Sequence, residues 1–360
     1  MKLLRREKLM AAVGAGLCLF AWLWFRLSRS LGEGAGPMRA FGLLLGRGLC
    51  RIFSILPLAM AELVWIGGLL YALFILIDLL RKRGLWGIPA WLCRAVLAAG
   101  IIYTLFSVVY LCQYSAPTLA SRLGFNTPGY TTSQLYDAAV QLTEELNNYA
   151  QKVDRDDDGL FSPAPYKELG KKILESYHDG SMSRLCGRYA SGVVPKRGYL
   201  LSWALSRLNL SGYYFPPTGE SVVSLDLTNT SVPFTTAHEV AHSFGVAPEK
   251  EANFAAFLCL IQSDDDDLRF SGLFNGYIYL NNALYSADRG KWQQLWDQVC
   301  PEVRIDLAHQ SEHVRRHENT TMHRVGTSIN DAFIRSTGQP DGVQSYGLVA
   351  DLIVSYYISQ

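Results

Sequence analysis

His238-Glu239-Val240-Ala241-His242, followed seven residues after the second histidine by Glu249-Lys250-Glu251-Ala252-Asn253, is the stretch on which the reading of this chain turns. On an α-helix, positions i and i+4 share a face, so His238 and His242 can present two imidazoles to one metal ion with Glu239 beside it. Pro233, Thr235 and Thr236 read as helix-start residues, and Gly245, three residues past His242, reads as a left-handed C-cap. A helix of about three turns fits between them.

Two histidines leave a catalytic zinc short of the three protein ligands it typically takes, with a fourth position kept for water. Glu249 and Glu251 are the nearest carboxylates. A helix starting at about Pro248 puts Glu249 on one face with Asn253, which could orient a ligand histidine from outside the coordination sphere. Glu251 shares its face with Ala255, which offers no such support, so Glu249 is the favoured third ligand and Glu251 the alternative. One Zn2+ is the expected cofactor, because two histidines and a glutamate with an open position suit it, although the same ligands can hold another divalent ion. The chemistry expected is hydrolysis: zinc lowers the pKa of its bound water and polarises a carbonyl, while Glu239 takes the water's proton and hands it to a leaving amine. Tyr277, Tyr279, Tyr285 and Arg269 are candidate donors to the oxyanion. His309, His313 and His317 recur at intervals of four, with His323 beyond. Glu312, Arg315, Arg316 and Glu318 among them read as a solvated helix face and not as a second metal site.

Outward from the motif, the two halves of the chain differ. Over 360 residues, 18% are charged and the formal charge is +1, so nothing draws the chain electrostatically to nucleic acid. Residues 9–25 and 95–121 carry no charge, and 59–80 carries only Glu62 and Asp78, so each is about long enough to cross a ~30 Å hydrocarbon core as a helix. Glu62 reads as an interfacial carboxylate. Lys2, Arg5, Arg6 and Lys8 before the first run, and Arg81-Lys82-Arg83 after the second, place those segments in the cytoplasm and the chain after about Gln113 outside. Residues 28–58, with arginines among apolar residues, suggest a helix lying along or dipping into the membrane surface. Trp22, Trp24 and Phe25 leave no small-residue cleavage site, which makes the first run a retained anchor. Three cysteines beyond the membrane half, Cys186, Cys259 and Cys300, give no disulfide framework, and Cys259 reads as core.

The expected architecture is therefore an α-helical membrane region with three transmembrane helices followed by a mainly α, α+β zincin-like metallopeptidase domain. Residues 1–113 form the membrane region, with helices near 9–27, 59–80 and 95–113; 114–130 is a linker; 131–360 is an extracytoplasmic domain. Within it, 135–153 reads as an amphipathic helix, and the acidic loop Asp154-Arg155-Asp156-Asp157-Asp158-Gly159 as a solvated turn, since Pro165 stands where a calcium loop needs glutamate. Helices are expected at 167–177, 199–208, 249–262, 271–285, 291–300, from 304 and at 347–358, and short strands at 213–215 and 221–227. The second strand, just before the motif helix, is expected to be an edge that pairs with an extended substrate.

The run Ser211-Gly212-Tyr213-Tyr214-Phe215-Pro216-Pro217-Thr218-Gly219-Glu220, then Pro233-Phe234-Thr235-Thr236-Ala237 into the motif and on through Glu251-Ala252-Asn253-Phe254, resembles an uncharacterised bacterial membrane family, domain-of-unknown-function family 3810. Val343-Gln344-Ser345-Tyr346-Gly347 and the apolar spans fit the same family. More distantly, Glu249 to Asn253 is similar to the glutamate helix of gluzincin metallopeptidases, whose first glutamate is the metal ligand; that resemblance implies Glu249. Asn253 departs from the aspartate of many gluzincins. What the resemblance implies is a peptidase-like site and not a known reaction; the expected partners are the lipid bilayer and a peptide or protein substrate. The competing class is a non-catalytic metal-binding scaffold or interaction protein, which Glu239→Gln would leave functionally unchanged. An intramembrane protease is disfavoured, because Asn229, Ser231, Pro248, Glu249, Lys250 and Glu251 break any long apolar run around the motif.

Overall fold

A long apolar run can satisfy its backbone polar groups within itself only as a helix, and the first third of the chain does so. The computed structural model describes residues 5–81, 88–124, 129–178, 192–318, 320–339 and 348–359; Lys82, Arg83, Cys186 and the expected 343–347 motif lie outside them. The chain is mostly helical. It divides into two units, Met1–Ala116 with Phe215–Glu220, and Pro117–Tyr214 with Ser221–Gln360.

In the first unit, helices α1 (Arg5–Leu31), α2 (Gly36–Phe53), α3 (Met60–Arg81) and α4 (Ile88–Val109) follow one another. Three segments, Arg5–Phe53, Met60–Asp78 and Ile88–Ser115, are long and apolar enough to cross a membrane. Helices α1 and α4 run parallel. Arg94 meets Glu7 at 3.8 Å near their starts, Gly14 lies on the backbone of Val96 and Leu97, and the Thr104 hydroxyl donates to the Leu17 carbonyl at 3.2 Å. A Cβ on Gly14 would sit 2.5 Å from the Val96 carbonyl oxygen, so only glycine lets these backbones meet. The segment read as a helix along or dipping into the membrane surface is α2, whose Gly42 packs against the Val108 carbonyl of α4. Glu62, read as an interfacial carboxylate, stands in the first turn of α3 and is fully buried. In the excursion Phe215–Glu220, the Glu220 carboxylate accepts from the backbone N–H groups of Met60 (3.2 Å) and Ala61 (2.9 Å), where a helix start favours negative charge.

The second unit begins earlier than the expected linker allowed. Thr118 caps α5 (Leu119–Leu123) by accepting from the Ser121 N–H, and Leu119 and Ala120 enter the core. Helix α6 (Thr132–Ala150) opens with a capping box between Thr131 and Gln134 and buries Leu135, Ala138, Ala139, Leu142 and Leu146 at the expected spacing. The acidic loop that follows is a solvated turn in which the Asp156 carboxylate accepts from the N–H groups of Asp158 and Leu160. Helix α7 (Tyr166–His178) leads, beyond residues not described, to β1 (Lys196–Gly198), α8 (Ser202–Arg207), β2 (Gly212–Phe215) and β3 (Glu220–Ser224). The sheet order is β1-β3-β2, with β1 parallel to β3. The strand before the motif helix is therefore central, both its edges are taken, and it cannot pair with a substrate as expected.

Helices α9 (Ser231–Ser243), α10 (Glu249–Ile261), α11 (Asp266–Ala287), α12 (Arg289–Asp297), α13 (Pro301–His317), α14 (Thr321–Ser336) and α15 (Val349–Ile358) complete the unit. Helix α11 runs through the middle, packed by α6, α9, α10, α12 and α15. Phe254, Phe257, Phe270, Phe274 and Tyr277 are fully enclosed there, each burial worth about 1.5–3 kcal/mol. Cys259 is a core residue and a free thiol.

Candidate metal centre

The motif helix starts at Ser231, where Ser231 and Val232 already bond to the Thr228 carbonyl, two residues ahead of Pro233. Thr235 and Thr236 thus lie inside the helix and do not start it; the Thr236 hydroxyl donates back to the Val232 carbonyl. Its end is as expected. Gly245 has φ +86°, its N–H reaches the His242 carbonyl at 3.0 Å, and the Val246 N–H reaches the Ala241 carbonyl at 3.1 Å, which is a Schellman turn. That turn also fixes a ligand. The Val246 carbonyl lies 2.8 Å from His242 Nδ1, and since a carbonyl only accepts, Nδ1 carries a proton and Nε2 faces the other way.

His242 Nε2 points at His238 Nε2, 3.0 Å away, with the rings nearly perpendicular. Pro248, in extended conformation, caps α10 so that Glu249 is its first residue. The Glu249 carboxylate then lies 3.3 Å from His238 Nε2 and 3.6 Å from His242 Nε2. One ligand atom from each of the three lies within 4.8 Å of the others, so these side chains could hold a metal ion. Glu251 is directed elsewhere. It is buried against the Leu119 backbone, whose hydrogen bond opposes the rise in its pKa that burial causes. Asn253 lies beside His238 and favours its protonated form, but without an aligned hydrogen bond: His238 Nδ1 and Asn253 Nδ2 are both buried with no hydrogen-bond partner among the described residues.

The titrating groups of the cluster act on one another. Burial lowers the pKa of His238. Burial also opposes charge on His242, yet the adjacent Glu249 carboxylate carries its pKa up to about 9. Burial would raise Glu249, but His242 and His238 hold it well below the usual carboxylate range. Glu239, on the same helix, is pushed up to about 8 by burial, with His242 pulling it back and Glu249 adding to the push. Its Oε2 is buried with no hydrogen-bond partner among the described residues.

Several groups around Glu239 carry no local sequence signal. A Cβ on Gly212 would sit 2.7 Å from Glu239 Oε1, so the start of β2 makes room for this carboxylate. The Ser221 hydroxyl donates to the Glu239 carbonyl at 2.9 Å and joins β3 to α9. Tyr166, whose hydroxyl donates to the Pro195 carbonyl, feels both Glu239 and Arg197; the guanidinium lies 4.8 Å from the centre of its ring. Of the four expected oxyanion donors, Tyr279 alone is linked to the cluster, through Glu249, and burial raises its hydroxyl pKa. Tyr277 bonds Asn281, Tyr285 packs on Trp292 and Arg289, and Arg269 is taken by Tyr149 and the Ser263 carbonyl.

The histidine series on α13 departs from the solvated face expected of it. His313 and His317 turn inward onto Asp226, at 3.1 and 3.2 Å, while Glu312, Arg315 and Arg316 pair on the outer side. His309 lies nearer Asp306, and His323 sits in the first turn of α14.

Neither a curated protein nor a solved structure matches this chain. The model of one family matches residues 42–354, which takes in part of α2, the apolar helices α3 and α4 and the histidine cluster, and the chain belongs to that family, described as Protein of unknown function (DUF3810).

Proposed function

We propose that this chain is a membrane-anchored, zinc-dependent metallopeptidase that hydrolyses peptide bonds, with a zincin-like domain of gluzincin type. One observation carries the reading: the Nε2 atoms of His238 and His242 and the carboxylate of Glu249 converge at 3.0–3.6 Å, with the buried carboxylate of Glu239 alongside. His238, His242 and Glu249 hold the ion, with Asn253 beside His238. A zinc ion bound there supplies Lewis acidity to a scissile carbonyl and acidifies water at the open position. Glu239 takes the proton of the attacking water and delivers it to the leaving amine, and its apolar surroundings make it a stronger proton acceptor than a solvated carboxylate. Gly212 keeps the space this carboxylate occupies.

The same reading places the protein in the cell membrane with three crossings and the metallopeptidase domain outside the cytoplasm. Arg5, Arg6 and Lys8 stand at the start of α1, and such residues are retained on the cytoplasmic side. The parallel course of α1 and α4 supports this, because two spans separated by one other must cross in the same direction.

The test uses the full chain in detergent. His238→Ala with His242→Ala should lose one equivalent of zinc, whereas Glu239→Gln should keep it and lose cleavage of a mixed peptide library. An undiminished metal content in the double variant sinks the metal centre. Unchanged turnover in Glu239→Gln, in any assay the wild type supports, sinks the peptidase and leaves a metal-binding scaffold.

A further inference from the structure

We infer that Asp226, His313 and His317 form a second, solvent-accessible site for a first-row divalent transition ion such as zinc. The histidines are four residues apart on α13, so their rings rise from one face, with centroids 5.3 Å apart. Asp226, just beyond β3, meets them with separate oxygens: Oδ1 lies 3.1 Å from His313 Nε2 and Oδ2 lies 3.2 Å from His317 Nε2. One ligand atom from each of the three lies within 4.8 Å of the others, so the two imidazole nitrogens and a carboxylate oxygen can converge on a single ion. Imidazole nitrogens with a carboxylate suit zinc, copper, nickel or iron over calcium and magnesium, which take oxygen ligands.

The carboxylate is held for this task by its own neighbours. Ser206 stands beside it with its hydroxyl donating to the Ser202 carbonyl at 3.1 Å, and the Asp226 N–H donates to the Ser224 hydroxyl at 3.2 Å. The ligand side chains are 18%, 22% and 40% exposed for His313, His317 and Asp226, so water can complete the coordination and the ion can exchange. One turn earlier on the same face of α13, Gln310 accepts from the hydroxyls of Thr228 and Ser231. An ion at Asp226 therefore tightens a clasp that already joins α13 to the segment feeding the motif helix.

Zinc is titrated at equilibrium against a chromophoric indicator into the detergent-solubilised full chain, its Asp226→Asn variant and its His313→Ala, His317→Ala variant. The wild type should bind one equivalent more than either variant, or bind that equivalent roughly a hundredfold more tightly, beyond the 10–100-fold typical of losing an outer partner alone. This difference is read whether or not His238 and His242 hold an ion, because both variants keep them. Equal stoichiometry and affinity in all three proteins overturns the site. A second measurement needs no variant: zinc should protect His313 and His317 of the wild type from acylation by diethyl pyrocarbonate, read by peptide mass spectrometry. Unchanged labelling of both at saturating zinc also overturns it.

Discussion

The second unit contains two clusters built from the same parts, a pair of histidines four residues apart on a helix and one carboxylate from another element, and they differ in their surroundings. His238, His242 and Glu249 have side chains 5–13% exposed, inside a ring of core residues. His313, His317 and Asp226 face the same way round a carboxylate but lie open to water. Burial makes charges in the first cluster expensive unless each is compensated, so its geometry is held to the ligand atoms. In the second cluster solvent shares that work, and the geometry stands on a serine and a glutamine instead.

The sharpest contrast is catalytic. In the buried cluster Glu239, next to His238 on the same helix, is enclosed with the ligands, whereas on α13 Glu312, next to His313, pairs outward with Arg315 and Arg316. Glu239→Gln should lower kcat by about 10³-fold, or about 4 kcal/mol of barrier, while zinc content stays at the wild-type level. No substitution at Asp226, His313 or His317 should approach that loss. Parity between the two clusters in a peptidase assay would break the comparison.

Stability without metal comes next. In chelator, His242→Ala leaves Glu249 buried beside a single histidine and removes the partner that most favours its charge. Removing one member of a buried pair costs about 3 kcal/mol or more, measured as a fall in the denaturation midpoint of the full chain in detergent. A cost under about 1 kcal/mol would mean that water reaches the cluster and that its burial is not what organises it.

Gly212→Ala probes the same cluster from the sheet. Its Cβ would meet Glu239 Oε1 at 2.7 Å and the Val222 carbonyl oxygen at 2.8 Å, and neither backbone nor buried carboxylate can give way freely. Overpacking of this kind costs about 1–3 kcal/mol. Because it falls on Glu239 and not on the ligands, turnover should drop while zinc binding is kept. Loss of zinc with retention of turnover would place the strain elsewhere.

How much of this the sequence disclosed follows from the range of the interactions. The apolar spans, the amphipathic period of α6 and the Gly245 turn are written within a few residues, and each appears where its local chemistry puts it. Pro248 sets the phase of the next helix and so brings Glu249 beside the histidines, but the sequence argument favoured Glu249 through Asn253, which makes no aligned hydrogen bond to His238. The central position of β3 was not legible, since its partner β1 is only three residues long and lies outside any hydrophobic period. Neither was the Asp226 cluster: α13 carries its arginines and glutamates among its histidines, and nothing local tells which of them face an aspartate 87 residues upstream. Gly212 and Tyr166 meet Glu239 by the same kind of long-range folding, and no motif spacing records it.

The smallest effect belongs to the open cluster. In chelator, His317→Ala removes one of two histidines from a carboxylate that is 40% exposed, so water replaces the lost partner and the change should stay below about 1 kcal/mol. The paired measurement is the useful one. Adding zinc stabilises whichever chain binds it in the folded state only, by an amount that grows with the logarithm of free zinc over Kd. The wild type and His317→Ala should therefore unfold together without metal and separate progressively as zinc is raised. If they separate by about 3 kcal/mol with no metal present, the histidine is a structural strut and the two clusters differ less than their exposures say; if they never separate, the open cluster is a surface ion pair and nothing more.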